Sequence, residues 1–189
     1  MGKIVATEYL SLDGVMEDPG GAEKFEHGGW TRPFGGDDLW KFKLDELLAS
    51  DALLLGRTTY QGFAAAWPSV KDEQGFADRM NSLPKFVVSR TLKAANWNNS
   101  RIVTGDIATE VEALKRQFTG NVLIGGSAML VQALTGFGLI DEYHLLVYPV
   151  VLGSGKRLLV QVPTTRLALV EARPFSSGVV GLTYRLAAE

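Results

Sequence analysis

Leu54-Leu55-Gly56-Arg57-Thr58-Thr59-Tyr60 is the stretch on which the fold turns. Ala52 to Leu55 is a short apolar run of buried-strand character. Gly56 passes it directly into a segment whose Tyr60, Phe63 and Trp67 fall on or near one helical face until Pro68 stops it. The same junction recurs downstream. Asn121 to Ile124 runs through Gly125-Gly126-Ser127 into an Ala128 to Leu134 helix, and Arg101 to Val103 reaches Gly105-Asp106 ahead of a helix spaced by Ile107, Val111, Leu114 and Phe118. Upstream, Lys3 to Leu10 is a β-rich opening run. Asp37 or Asp38 then caps a helix with Trp40, Leu44, Leu47 and Leu48 at i, i+4, i+7 and i+8. Lys85 to Val88 adds a strand. From Ile140 the pattern is strands alone: Glu142 to Val151, Leu167 to Ala172 and Val179 to Leu186, the last two joined by a turn around Ser176-Ser177-Gly178. This order predicts an α/β fold with a mainly parallel sheet, helices on both faces and antiparallel C-terminal strands.

The 189 residues, 46% hydrophobic and 21% charged, carry no linker, repeat or low-complexity break, so a single domain over 1–189 is expected. A net charge of −2 lacks the basic surplus that nucleic-acid backbones require. Without cysteine there is no disulfide, no thiolate nucleophile and no Cys-based metal site, and with only His27 and His144 no metal centre is expected. The start lacks a signal-peptide apolar region. The longest apolar run, Leu145 to Leu152, is far short of the roughly 20 residues of a membrane span. A cytoplasmic protein with no membrane partner is the expectation.

Glycine is the one compositional excess, and its positions point to an anion. A helix N-terminus offers unpaired N–H groups and a positive dipole end, so Gly56-Arg57-Thr58-Thr59, Gly105-Asp106 and Gly125-Gly126-Ser127 are candidate phosphate cradles. Arg57 and Arg90 stand just past two neighbouring strands, where guanidinium groups suit bidentate phosphate binding. Each feature alone has a plainer reading as a tight turn or a solvated charge. No G-x-G-x-x-G follows a strand, so an ordinary Rossmann dinucleotide site is not indicated. The polar, Gly-rich stretch Asp13 to Gly36 is too long for an ordinary connection, and such loops usually serve function.

Four motifs in order resemble the dihydrofolate reductase superfamily. They are Ser11-Leu12-Asp13-Gly14, Leu54 to Tyr60, Phe86-Val87-Val88-Ser89-Arg90 and Val122-Leu123-Ile124-Gly125-Gly126-Ser127. The branch they resemble most includes the C-terminal reductase domain of the riboflavin-pathway deaminase/reductase. That resemblance implies a three-layer α/β/α sandwich that binds NADPH along the carboxyl edge of its sheet and passes a hydride to a C=N or similar bond of a small heterocycle. It implies that Gly56, Arg57, Thr58 and Thr59 meet the diphosphate and the 2′-phosphate, and that Ser89 and Arg90 border the adenosine. Thr104, Gly105 and Asp106 would lie along the adenine, with Gly125, Gly126 and Ser127 holding diphosphate near the nicotinamide. A homodimer is also implied, and the apolar run Leu145 to Leu152 is the segment that would support it.

On the substrate side, Trp30-Thr31-Arg32-Pro33 resembles the Trp-x-x-Pro that precedes the pterin-binding acid of folate reductases, but that acid's position is held by Gly35. Asp37 and Asp38 follow. Asp13 matches the riboflavin-type pattern without a gap, so Asp13 and Asp38 are the candidate acids, with Trp30 and Asp37 as substrate contacts and Trp30 as lid or pocket wall. The acceptor implied is pyrimidine- or pterin-like, such as 5-amino-6-(5-phosphoribosylamino)uracil. The alternatives are a dihydrofolate or pterin reductase and a nucleotide-binding module without turnover.

Overall fold

Strand-to-helix alternation in the sequence becomes a sheet of eight strands in the computed structural model, which describes residues 1–187. The last two residues of the expected domain lie outside the described residues. In chain order the elements are β1 (Lys3–Ser11), α1 (Asp37–Leu48), β2 (Ser50–Gly56), α2 (Arg57–Ala66), α3 (Phe76–Ser82), β3 (Lys85–Val88) and β4 (Ser100–Val103). There follow α4 (Ile107–Gln117), β5 (Asn121–Gly125), α5 (Ala128–Gly136), β6 (Glu142–Tyr148), β7 (Leu167–Pro174) and β8 (Val180–Leu186). The spatial order is β4-β3-β2-β5-β1-β6-β8-β7. Every pairing from β4 to β6 is parallel, and β8 runs antiparallel to both β6 and β7.

Strands covered on both faces must be apolar at both parities, and the pleat sorts them. Ile4 and Ala6 of β1, Leu54 of β2, and Val122 and Ile124 of β5 pack with Val111 and Leu114 of α4 and Val131 and Leu134 of α5. Val5, Leu53, Leu55 and Leu123, one residue out of phase, face the other way onto Leu47 of α1, Tyr60 of α2 and Met80 of α3. The result is the three-layer sandwich. Its parallel strands all end on one edge, and that edge carries the glycine junctions.

Three details depart from the sequence reading. Helix α1 does not bury the Trp40 and Leu48 stripe, which is 54% and 55% exposed; its inward face carries Leu39, Lys43, Glu46 and Leu47. Two charges thus enter the interior because a partner for each waits there, as described below. Helix α3 was not foreseen. Its start is organised from outside by Asp72, whose carboxylate accepts the N–H groups of Phe76 and Ala77 at 2.9 and 2.6 Å, while the cap position is Gly75 at φ 83°. Finally, β6 ends at Tyr148, because Pro149 has no N–H to continue a ladder.

The long Asp13 to Gly36 loop is ordered by one residue. Asp18 is buried and accepts the N–H groups of Ala22, Glu23 and Phe25 at 2.6, 3.0 and 3.2 Å. Trp30 is not a lid. It lies 7% exposed in a third core with Leu39, Leu146, Tyr148 and Phe175, its indole N–H donating to the Glu17 carbonyl at 2.8 Å.

Candidate functional site

Gly56 and Ser127 bring two junctions together. A Cβ on Gly56 would stand 2.1 Å from Ser127 Oγ, and one on Gly126 would stand 3.0 Å from both Thr59 Oγ1 and Cγ2. The β2–α2 and β5–α5 turns are therefore in van der Waals contact, and Gly126 holds φ +76°, a conformation that side chains resist. Neither α2 nor α5 has a side-chain cap, which leaves first-turn N–H groups of both available to an anion. The third junction differs. Asp106 caps α4, accepting the Thr109 N–H at 3.0 Å and its hydroxyl at 2.8 Å, so a carboxylate already occupies the place expected for a phosphate. Thr104, Gly105 and Asp106 all lie exposed at the β4 end.

Gly56 and Val88 are register partners, which sets Arg57 and Arg90 beyond adjacent strand ends, both exposed, with Thr58 exposed beside Arg57. Ser89 is buried, its hydroxyl accepting the N–H groups of Thr91 and Leu92 at 3.2 and 2.9 Å. It shapes the turn that carries Arg90. These features fit a dinucleotide phosphate: two uncapped helix starts in contact, a glycine cradle closed to larger residues, and two arginines on the same edge.

Against this edge opens a cleft of about 320 Å³. Its floor is Thr7, Glu8 and Tyr9 of β1 and the Gly125–Ser127 turn; its walls include Lys43, Glu46 and Leu47 of α1, Thr59 and Phe63 of α2, and Phe76 and Met80 of α3. Apolar walls with a few convergent polar groups are the usual composition of a small-molecule site.

The polar groups form two sets. Lys43 Nζ donates to Thr7 Oγ1 at 2.6 Å and to Glu46 Oε2, while Glu46 Oε1 meets His144 Nδ1 at 2.6 Å. His144 Nε2 then reaches Glu142 at 3.3 Å, and Glu142 pairs with Lys3 and Arg185 near the surface. Burial opposes every charge in the chamber, yet Lys43 and His144 together hold the Glu46 carboxyl below its ordinary range, and Glu46 raises both of them. The second set is Glu8 alone. Burial dominates there, pushing it up to about 8 against the opposing Gly126 hydrogen bond and the Lys43 charge.

None of Asp13, Asp37 and Asp38 lines this cleft. Asp13 accepts the Ser11 hydroxyl at 2.7 Å and the Leu152 and Gly153 N–H groups at 3.1 and 2.9 Å, which hold its carboxyl down at about 2. It pins the first loop to residues 152 and 153. Asp38 accepts the N–H and the hydroxyl of Ser176 at 2.7 and 2.9 Å, tying α1 to the β7–β8 turn, and these bonds lower its carboxyl as well. Asp37 is exposed in the first turn of α1. A carboxylate saturated with donors is a poor proton source. Sequence reasoning missed Glu8, Lys43, Glu46 and the partnered state of His144. The available signal was a glutamate in the middle of β1, between the apolar Ile4-Val5-Ala6 run and Tyr9-Leu10.

Among the described residues no cluster of His, Asp and Glu could hold a metal ion, and no helix is long and apolar enough to cross a membrane. Comparison with known proteins places the geometry in a family. The model described as the RibD C-terminal domain matches residues 2–181. The uncharacterized protein YyaP of Bacillus subtilis (strain 168) is 33% identical over 144 residues, 74% of this chain and 76% of that protein. A solved protein of Shewanella sp. PV-4, ascribed to riboflavin biosynthesis, superposes with a TM-score of 0.79 at 18% identity, covering 98% of this chain and 99% of that one. Dihydrofolate reductase of Enterococcus faecalis, complexed with NADP(H), gives 0.65 at 15% identity over 98% and 97%. At such identities the two structures fix the fold, which is dihydrofolate reductase-like.

Proposed function

The chain belongs to the RibD C-terminal domain family, and from that premise we propose that it is a cytoplasmic NADPH-dependent reductase of a small planar heterocycle. The observation that carries this reading is the contact between the two uncapped junctions, Gly56–Thr59 and Gly125–Ser127, with the apolar cleft opening directly beside them. NADPH, when bound, supplies the hydride. The chain's own contribution is to grip phosphate at α2 and α5, set Arg57 and Arg90 at the 2′-phosphate, exclude water with Phe63, Phe76 and Met80, and offer a proton.

A riboflavin-pathway pyrimidine such as 5-amino-6-(5-phosphoribosylamino)uracil and a dihydropterin are the acceptors to weigh. Among the described lining residues Lys43 is the one cation, and it is committed to Glu46 and Thr7. This favours an acceptor whose ring is uncharged, with any phosphate outside the chamber. Titration with both nucleotides tests the cofactor. Charge-assisted hydrogen bonds of about 1.5–3 kcal/mol each give a preference for NADPH over NADH of about tenfold or more, lost in Arg57→Ala. Equal affinities reject the assignment. Oxidation of NADPH with a panel of dihydrofolate, a dihydropterin and the phosphoribosylaminouracil then separates an enzyme from a module that binds without turnover.

A further inference from the structure

Strand β1 puts a carboxyl where a doubly covered parallel strand ordinarily buries hydrocarbon. Glu8 is 3% exposed; its Oε2 accepts the Gly126 N–H at 3.2 Å, and its Oε1, also buried, has no partner. A buried carboxylate oxygen without a donor is costly, so the group retains its proton at neutral pH, with burial the dominant cause. Because Oε2 is committed as an acceptor, the proton belongs on Oε1, a buried oxygen with no partner on a side chain that lines the cleft. The Gly126 N–H joins this carboxyl directly to the Gly125–Ser127 turn.

Resting on the reductase reading above, we propose that Glu8 is the acid of the cleft and the charge counterweight of the nicotinamide: neutral with the reduced ring, anionic with the oxidised one. The acceptor carbon takes the electron pair of the C–H bond broken in NADPH. The acceptor's C=N π pair becomes an N–H bond to the Glu8 proton, and the Glu8 O–H pair stays behind as carboxylate. NADPH is oxidised by two electrons and the acceptor is reduced by two. Loss of hydride leaves one positive charge in the chamber and loss of the proton leaves one negative charge, so the net charge of a low-dielectric site does not change. Glu8 regains its proton from water once products leave.

The groups facing Glu8 are Lys43 and Glu46 from α1, the Gly126 amide from the β5–α5 turn and Tyr9 on its own strand, with Glu23 of the first loop on the same cleft. Lys43 and Glu46 keep opposite charges through the neutral range, and burial raises the Tyr9 phenol. His144 of β6, behind Glu46, is raised by its hydrogen bond to that residue against the pull of burial, and calls for a control.

The test needs binding alone, with NADPH and NADP+ as the probes. Tryptophan fluorescence quenching between about pH 7 and 10, above the second phosphate ionisation near 6, gives both affinities. NADP+ affinity should rise with pH until Glu8 is ionised and then level off, while NADPH affinity should hold level at first and fall by up to about tenfold per pH unit once Glu8 ionises. Both profiles should be flat in Glu8→Gln, which is neutral throughout and keeps a donor, and the opposed slopes should survive in His144→Gln. Parallel slopes in the unaltered protein, opposed slopes that persist in Glu8→Gln, or their loss in His144→Gln overturn the proposal while leaving the reductase reading intact. Binding of neither nucleotide at any pH overturns both. Should Glu8→Gln fail to fold, the slopes of the unaltered protein decide.

Discussion

His144 Nδ1 and Glu46 Oε1 stand 2.6 Å apart, joining the interior strand β6 to the inward face of α1. The pair explains how a helix can turn Lys43 and Glu46 toward the core while Trp40 and Leu48 face solvent. Each inward charge has a fixed partner, and the chain of contacts ends at Glu142, Lys3 and Arg185, where water begins.

A first prediction follows for stability against pH. His144 is raised above 6.5 by Glu46, with burial pulling the other way. Between the unfolded and folded values the native state binds the extra proton, so the stabilisation is complete below about pH 6.5 and is lost as pH rises through the folded value. Thermal midpoints taken across this range should decline, and the decline should be shallower in His144→Gln, the remainder belonging to Glu8, whose carboxyl raised to about 8 gives a fall of the same sign. With only two histidines in the chain, proton NMR can assign the titration directly. A His144 that titrates below its unfolded value would refute the linkage. Removing the carboxylate should be harsher: Glu46→Ala leaves Lys43 charged and buried, a loss of about 3–5 kcal/mol on denaturant unfolding.

Gly56→Ala probes the contact between the two turns. The new methyl would meet Ser127 Oγ at 2.1 Å and Cβ at 2.8 Å, so the β5–α5 turn must shift. Overpacking of this kind costs about 1–3 kcal/mol. Nucleotide affinity should fall about tenfold or more, because the helix starts lose their shared geometry. Affinity equal to that of the unaltered protein would show that the two turns do not act as one phosphate cradle.

Asp13→Asn should disturb the loop rather than the nucleotide. Its carboxyl, held near 2 by Ser11, Leu152 and Gly153 against an ordinary 3.8, adds stability above the unfolded value that is lost as pH falls through the folded one. At neutral pH the variant should melt below the unaltered protein, with the gap closing as pH drops from about 4 toward 2, and NADPH affinity should not change. An unaltered melting point at pH 7 would return Asp13 to consideration as a chemical group.

What the sequence disclosed depended on whether a signal was local. Glycine between an apolar run and a helical stripe is local, so Gly56, Gly125 and Gly126 marked the strand ends and the edge proposed for phosphate before any coordinates. The mainly parallel sheet, its helices on both faces and the antiparallel C-terminal strands followed from the same alternation, whereas the spatial order of the strands did not. Partnership across the chain left no such trace. Nothing in the sequence around Lys43 and Glu46 marks them, because their partners Thr7 and His144 lie 36 and 98 positions away. Asp13 and Asp38 looked like free acids for the same reason; the donors that consume them come from the 152–153 loop and from Ser176. Trp30 sat in a polar loop by sequence, yet that loop folds around Asp18 and delivers the indole to a core built by Tyr148 and Phe175.

The last prediction is the oligomer. The run Leu145 to Leu152, from which a dimer was inferred, starts as an interior strand: β6 lies between β1 and β8, with Leu146 and Tyr148 buried. A better basis is β7. It is the outermost strand, paired only with β8, and Leu169 and Val170 on it are about half exposed. The register shift between Leu169 and Glu171 bulges this edge, which discourages open-ended strand addition and leaves side-chain packing as the mode of contact. We therefore expect a homodimer joined through the β7 face, each fully covered aliphatic side chain contributing about 1.5–3 kcal/mol. Light scattering at micromolar concentration should give twice the chain mass, and Leu169→Lys with Val170→Glu should raise the dissociation constant at least about tenfold without lowering NADPH affinity. A monomer mass for the unaltered protein rejects the dimer, and a dimer that tolerates both charges moves the contact away from β7.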